Sequence, residues 1–173
     1  MKNILIILIL IIPSLNMKSQ NNYYEKGMAN YESKNYAAAI GELTKVIETE
    51  EKGDVMSALY IRAECKNKLE DFRGALLDYN TLLHIVREEE SKDLAVIYLD
   101  RGRIKAILED YIGAETDFSK AIKLKNSYAE AYINRGIIRN SFLNKIELGC
   151  MDFSRAGELG ITKAYEFIKN YCN

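Results

Sequence analysis

Two residue types recur along this chain at the same unequal intervals, and this recurrence limits the fold more than any other feature. The first marker is a small residue inside an apolar segment, with copies 36, 39 and 34 residues apart: Gly27, Ala63, Gly102 and Gly136. The second is an Asn or Asp eight residues further on in each copy: Asn35, Asp71, Asp110 and Asn144. Two independent markers that share three unequal intervals indicate four copies of one structural unit.

The third copy, from Ala95 to Lys125, shows most clearly what one unit is. Its apolar residues are spaced as in two short amphipathic helices, and Asp110 between them is a favourable N-cap for the second helix. Small residues at Gly102 and Ala114 would let the two helices approach closely, with Phe118 beside them. Each unit is therefore predicted to be a helix-turn-helix hairpin.

The fourth copy departs from this pattern. Its Gly149, Phe153 and Ala156 match the other copies only if the turn holds one extra residue. Lys145 also replaces the aromatic residue that follows the cap in the first three copies. By its spacing, Asn144 is expected to cap the second helix of this copy.

Helix-turn-helix units with a period near 34 residues, and this order of small and aromatic residues, resemble the tetratricopeptide repeat, or TPR. The resemblance covers about residues 21 to 158, although the family's usual Pro after each second helix is missing. It implies an all-α fold, a right-handed superhelical solenoid of about four TPR units with a C-terminal capping helix. The units are expected at about residues 21–52, 55–90, 94–125 and 128–158, and the capping helix at 162–172.

The first residues have the layout of an export signal. Met1 to Asn3 lead into nine apolar residues, Ile4 to Ile12, followed by Pro13 and a polar stretch. Nine helical residues span roughly 14 Å, about half of a bilayer's hydrocarbon core, which disfavours a retained membrane anchor, the alternative. We expect residues 1–19 to be a cleaved signal peptide and residues 20–173 to be the TPR domain of an exported protein without a stable membrane span. The C-terminal segments DFSRAGELG and KAYEFIKNYCN resemble the ending of short exported bacterial TPR proteins, which implies a periplasmic or secreted bacterial protein.

Composition and motifs favour neither an enzyme nor a nucleic-acid-binding protein. The formal net charge is −1 and no basic block is present. The single histidine, His84, has no nucleophile near it in the sequence, the three Cys lack CxxC spacing, and there is no Gly-rich phosphate loop. We therefore expect no catalytic residues, no cofactor, no metal and no nucleic-acid partner.

Two of the cysteines could pair. If the helix containing Cys150 and the last helix form an antiparallel hairpin, the two thiols lie nearly level, because the midpoint of Cys150 and Cys172 falls in the turn at Gly160 and Ile161. In an oxidising compartment a disulfide could then form. Two buried thiols are the alternative.

A repeated charge pattern has two interpretations. A basic residue precedes each small residue, and an acidic residue precedes each large apolar residue on the second helix. The bases are Lys26, Arg62, Arg101 and Arg135, and the acids are Glu42, Asp78, Asp117 and Asp152. Ion pairs that fix the register of each hairpin are one interpretation. The other is a ladder of arginines that binds an acidic ligand, which requires these arginines to be open to solvent in the groove.

In TPR solenoids the first helices of successive units line a concave groove, and the resemblance places a mixed, largely apolar set of residues there. These partner-binding residues are Tyr24, Met28, Tyr31, Tyr60, Glu64, Asn67, Leu99, Arg103, Ala106, Ile133, Ile137 and Asn140. For Tyr60 and Ile133, a plain core position is the alternative. The TPR subclass that clamps peptide carboxylates has Lys and Asn where Tyr24 and Met28 stand, so that activity is not implied.

A groove of this kind favours an extended or helical segment of another protein. The expected function is a non-enzymatic protein–protein interaction module, a scaffold or adaptor that binds a peptide segment or partner protein in the groove. The alternative is a structural envelope protein that self-associates. One chain does not identify the partner.

Overall fold

The computed structural model describes residues 23–49, 52–86 and 94–172, and within these ranges the chain forms helices joined by short turns. The first helix, α1, spans residues 23–32. The others are α2 (Tyr36–Glu48), α3 (Lys52–Lys68), α4 (Phe72–Ile85), α5 (Leu94–Ile107), α6 (Tyr111–Leu124), α7 (Ala129–Ser141), α8 (Ile146–Glu158) and α9 (Lys163–Tyr171). The predicted signal peptide lies outside the described residues. Within them, no helix has both the length and the apolar character needed to cross a membrane.

The chain divides after Ile85 into two compact units. The first unit contains α1 to α4. Its core includes a cluster of fully or nearly fully buried side chains on α2 and α3: Ala39, Leu43, Val46, Ala58 and Cys65. Burial raises the pKa of the Cys65 thiol to about 11, so this cysteine is a packing residue rather than a reactive one.

The second unit contains α5 to α9, and each of these helices packs against the next one along the chain. The α5–α6 and α7–α8 pairs are the two hairpins, and α5 also touches α7. The buried cluster that joins them consists of Ala95, Leu99, Ala114, Phe118, Ala121, Ala131 and Ile138. A continuous core of this kind explains why the hairpins stack, since one hairpin alone leaves an apolar face uncovered.

The small-residue marker lies where the two helices of a hairpin come closest. A Cβ atom added to Gly102 would lie 2.7 Å from Cε1 of Phe118, and one added to Gly136 would lie 2.7 Å from Cε1 of Phe153. Both distances are shorter than side-chain carbons tolerate. The packing role predicted for the small residue and its aromatic partner is confirmed in the two hairpins of the second unit.

The turns inside the hairpins share one backbone device. The residue before each N-cap has a φ between +52° and +64°: Lys34, Glu70, Glu109 and Asn144. In the first three turns, the next amide donates to the carbonyl five residues earlier. The carboxylates of Asp71 and Asp110 then accept hydrogen bonds from the amides of Gly74 and Gly113 at 2.9 Å, so both are the N-caps that the sequence predicts.

The fourth turn corrects the prediction for Asn144. Its φ of +52° puts it at the positive-φ position, and Lys145 is the N-cap of α8. The Lys145 amide donates to the carbonyl of Arg139, six residues earlier instead of five. The extra residue therefore lies before Asn144, at the end of α7. Asn144 keeps the spacing of the marker but not its position in the turn.

The repeated charges form buried ion pairs in three hairpins. In each, Nε and Nη2 of an Arg donate to the two carboxylate oxygens of an Asp at 2.7 to 2.9 Å: Arg62 with Asp78, Arg101 with Asp117, and Arg135 with Asp152. The Asp side chains are at most 4% exposed and the Arg side chains at most 15%. The register interpretation is confirmed in these hairpins, and the solvent-open arginine ladder is wrong.

A second base joins each of these pairs. It lies one helical turn after the Arg and reaches the same carboxylate at 2.8 to 2.9 Å: Lys66 to Asp78, Lys105 to Asp117, and Arg139 to Asp152. The first hairpin differs, because Glu42 pairs with Lys45 of its own helix. Charge therefore fixes the register of the last three hairpins, whereas the first depends on its apolar contacts.

The last helix covers the end of the second unit, as the capping-helix prediction proposed. Ala164 of α9 is fully buried, and the ring of Phe167 stacks on that of Phe153 with centroids 5.1 Å apart. A disulfide joins Cys150 on α8 to Cys172, directly after α9, with the two Cα atoms 5.8 Å apart. The chain's last helix is thus held by apolar packing and by a covalent bond.

Removing one member of a buried pair should be costly. In the Asp117→Ala variant, Arg101 and Lys105 keep their charges in a buried site without the carboxylate, so we expect the unfolding free energy to fall by about 3 to 5 kcal/mol. Urea denaturation followed by circular dichroism measures this. The control is Glu158→Ala, which breaks the exposed pair with Arg155 and should leave stability nearly unchanged. Equal, small losses in both variants would contradict a structural role for the buried pair.

The disulfide should stabilise the second unit mainly through the unfolded chain. Closing a loop of 22 residues is worth about 3 kcal/mol in the chain-entropy estimate. We expect dithiothreitol to lower the melting temperature of the wild-type protein and to leave a Cys150→Ser, Cys172→Ser double variant unchanged. Mass spectrometry of the non-reduced, exported protein tests the bond directly, and two free thiols there would refute it.

Candidate functional site

The predicted contact residues of the first unit lie on α1 and α3. All of them are half-buried: Tyr24, Met28, Tyr31, Tyr60, Glu64 and Asn67. Tyr31 packs beside Tyr36, and Tyr60 packs edge-on beside Tyr79, each with ring centroids 6.1 Å apart. The Tyr79 hydroxyl donates a hydrogen bond to the carboxylate of Glu64. Contacts inside the unit therefore hold these side chains and leave only part of their surface to a partner.

The second unit contains a pocket of about 450 Å³ among α5, α7 and the beginning of α6. This volume lies in the usual range for ligand pockets. Most of the lining is apolar, and the lining residues are Arg103, Ala106, Ile107, Tyr111, Phe118, Asn134, Ile137, Ile138 and Phe142. Ile107 and Phe142 are each 51% exposed, so the pocket is open to solvent at these side chains.

The structure brings together some of the residues predicted from the sequence and separates others. Arg103, Ala106 and Ile137 line the pocket. Ile133 is half-buried and lies outside the lining, and Asn140 contacts α8, where its Nδ2 lies 3.9 Å from the Cys150 sulfur.

The prediction for Leu99 is wrong. Leu99 is 1% exposed and belongs to the buried cluster with Ala95 and Phe118. The reason is the rotation of α5 about its axis, which turns this side chain toward the hairpin core. A partner cannot reach it in the folded protein.

Six of the nine lining residues were not predicted as contact residues: Ile107, Tyr111, Phe118, Asn134, Ile138 and Phe142. Phe118 and Ile138 also belong to the buried cluster. Tyr111 is the first residue of α6, and Phe142 directly follows α7 in the lengthened turn. Their rings stack with centroids 4.1 Å apart and planes 13° from parallel. An aromatic residue in the one turn with an extra residue was the available signal, but the contact joins two hairpins and no single copy of the pattern contains it.

The polar side of the pocket is an internally compensated charge cluster. Arg103 donates to Asp100 at 3.1 Å and to Glu130 at 3.2 Å. The Nδ2 of Asn134 donates to the Glu130 carbonyl at 2.7 Å. Burial raises the pKa of nearby Tyr128, and the carboxylates of Asp100 and Glu130 raise it further, while Arg103 opposes them. The Arg103 charge is thus already matched by two acids of the same unit.

A second cluster holds the turn that carries Phe142. Glu115 on α6 accepts hydrogen bonds from Arg139 at 2.7 Å and from Lys145 at 2.6 Å. Burial alone would raise the pKa of Glu115, but these two bonds and charges outweigh it and the pKa lies below its usual value. Because Arg139 and Lys145 flank the turn, Glu115 ties it to α6 and keeps Phe142 over Tyr111.

The described residues of the pocket offer a ligand mainly apolar contacts. Across the described ranges, no three His, Cys, Asp or Glu side chains converge so that they could hold a metal ion. His84 is exposed on α4 and is not one of the residues that line the pocket. What the pocket offers a ligand is apolar surface, two stacked rings, and an amide and a guanidinium at one side.

No protein-family model matches the sequence, and no curated protein matches it. Solved structures do. The MamA protein superposes with a TM-score of 0.78 at 17% identity, over 87% of this chain and 79% of that one. YrrB, described as a TPR protein with an unusual peptide-binding site, gives a TM-score of 0.75 at 16% identity, over 90% and 77% of the two chains.

A third similar structure is the first TPR of Spaghetti (RPAP3) bound to the HSP90 peptide SRMEEVD. Its TM-score is 0.59 at 23% identity, over 66% of this chain and 87% of that one. Identities this low show a shared fold and no more. Together with the repeated helix pairs, they confirm the predicted fold class: this chain is an all-α repeat solenoid with the fold of the tetratricopeptide repeat proteins.

Proposed function

We propose that this protein is a non-enzymatic protein–protein interaction module, and that the pocket of the second unit receives part of a peptide segment from its partner. The observation that carries the proposal is the open, largely apolar pocket between the first helices of two stacked hairpins, α5 and α7. Side chains such as Ile107 and Phe142 keep half of their surface in water, and covering them would release that water.

Two of the similar structures support a peptide as the ligand. One is a TPR bound to the peptide SRMEEVD, and the other is a TPR protein described by its peptide-binding site. The residues that form the pocket in this chain belong to helices or to a turn held by Glu115. Because the site is preformed, the protein loses little conformational entropy on binding, and this raises its affinity for a ligand that fits the pocket.

We also propose that the protein acts outside the cytoplasm. The apolar segment from Ile4 to Ile12, with Lys2 before it, supports an export signal. The bond between Cys150 and Cys172 supports the same compartment, because disulfides persist in oxidising environments and are rare where glutathione keeps thiols reduced.

Self-association is the second candidate, and one surface favours it. Leu148 and Met151 lie three residues apart on α8, so they share a face of the helix, and both are exposed. A second copy of the chain could cover this surface, which is distinct from the pocket lining.

The proposed function predicts that residues 20–173 select peptides from a random twelve-residue display library, and that one pocket residue decides their affinity. Ile107→Ser removes an exposed apolar side chain from the pocket, so we expect the dissociation constant of the selected peptides to rise about tenfold or more. Isothermal titration calorimetry measures it. The matched control is Ile112→Ser, the same change at a 72% exposed position outside the pocket, which should bind like the wild type.

Two outcomes would contradict the proposal. If no binding peptide can be selected, the proposed peptide-binding function is refuted. If the Ile107→Ser and wild-type proteins bind the peptides with equal affinity, the pocket is not the binding site. Sedimentation equilibrium distinguishes the second candidate. A mass that rises with concentration in the wild type, and stays that of a monomer in a Met151→Ser variant, would favour self-association through α8.

A further inference from the structure

One position on the first helix of each repeat holds three different residue types in the four repeats. The position lies four residues after the small-residue marker, and its occupants are Tyr31, Asn67, Ala106 and Asn140. The aromatic residue that begins the second helix lies five residues further on, as Tyr36 in the first repeat and Tyr111 in the third. These two repeats can therefore be compared side chain by side chain.

In the first repeat, the chain supplies its own ring at this position. The Tyr31 ring lies beside the Tyr36 ring with centroids 6.1 Å apart and planes tilted by 58°. This separation is typical of favourable aromatic pairs. In the third repeat the equivalent residue is Ala106, whose methyl group supplies no ring beside Tyr111 and lines the pocket instead.

The space beside Ala106 is bordered by other apolar groups and is open to solvent at Ile107 and Phe142. Tyr111 lies on one side with Phe142 stacked on it, and Ile107 and Ile137 complete the lining there. An added ring can therefore contact aromatic and aliphatic side chains together, as Tyr31 does in the first repeat against Tyr36 and the neighbouring core. A lining of aromatic and aliphatic groups favours contact with an apolar ring over contact with a polar group.

The charges at the pocket point to a ligand group without charge. Arg103 is bonded to Asp100 and Glu130, so a carboxylate arriving there must compete with two carboxylates already in place. A cation would meet the guanidinium of Arg103 itself. A neutral side chain enters without disturbing these pairs.

We propose that the pocket beside Ala106 takes an uncharged aromatic side chain of the bound partner, in the place that Tyr31 fills in the first repeat. This inference rests on the proposed function and names the chemistry of its ligand. The partner segment is recognised by an aromatic anchor, and the ion pairs at the rim exclude segments that present a charge at that point.

A variant that blocks the pocket can be designed from the first repeat. Ala106→Tyr gives the third repeat the residue that the first repeat carries at the same position, so the introduced ring should fill the pocket from within the chain. The matched control is Ile112→Tyr, which adds the same side chain at an exposed position of α6 outside the pocket. Phe142→Ala is a second variant, which removes one wall of the pocket at a half-exposed position and does not depend on how an introduced ring packs.

The probe is N-acetyl-L-phenylalanine amide, followed by the methyl NMR signals of Ile107 and Ile137. We expect the probe to shift both signals in the wild type and in the Ile112→Tyr control. At equal concentration, the shifts should be at least fivefold smaller in Phe142→Ala. In Ala106→Tyr, the Ile137 signal should not change. N-acetyl-L-aspartate amide and N-acetyl-L-arginine amide should shift neither signal. Binding of the phenylalanine probe should stay within twofold between about 0.05 M and about 0.5 M NaCl.

Three results would overturn the inference. They are no shift of either pocket methyl by the phenylalanine probe, equal shifts in the wild type and both pocket variants, and a larger shift by a charged probe. The peptide selection separates this failure from that of the proposed function. Selected peptides that depend on Ile107 but carry no aromatic residue would retain the binding function and refute the aromatic anchor, whereas a library without binders refutes the function first.

Discussion

The buried pair between an Arg on the first helix and an Asp on the second fixes the register of the last three hairpins of this protein. Arg101 directly precedes Gly102 and Asp117 directly precedes Phe118, so the bidentate bond and the closest apolar contact lie side by side. Desolvation offsets much of the attraction in such a pair, which makes its net stabilisation small. We infer that its main effect is to exclude other registers, since any slip would leave two bases and a carboxylate buried without partners.

The fixed register determines the geometry of the turn between the two helices. The turn is closed by one residue with a positive φ and by the N-cap that follows it, and the register also sets where the first residue of the second helix lies. The fourth turn shows how much the arrangement tolerates, because an added residue lengthens the turn while Arg135 and Asp152 keep their bond. The added length is not neutral, however. It accompanies the stacking of Phe142 on Tyr111, which links two hairpins and forms one wall of the pocket.

The sequence predicts the hairpins well because their contacts repeat, and a repeated contact appears as a repeated interval. For this reason the sequence predicted the contact of Gly102 with Phe118 and the Arg–Asp pairs. Leu99 was misplaced because burial depends on how far a helix is rotated about its axis, and a difference of one residue, about 100°, turns a surface position into a core position. Phe142 was missed because its partner lies in another hairpin. Spacing within one copy does not contain that information.

The distinction between repeated and unrepeated residues also separates packing from recognition. The positions that form the register, Gly or Ala, Arg, Asp and the second-helix aromatic, hold nearly the same residue type in the last three copies. The position four residues after the small marker does not: it holds Tyr31, Asn67, Ala106 and Asn140. Because the fold requires no particular side chain at this position, the residue there can change without loss of the fold. In the first repeat it closes a space with Tyr31, and in the third it leaves the same space open beside Ala106. The specificity of this chain therefore depends on the position where its repeats disagree.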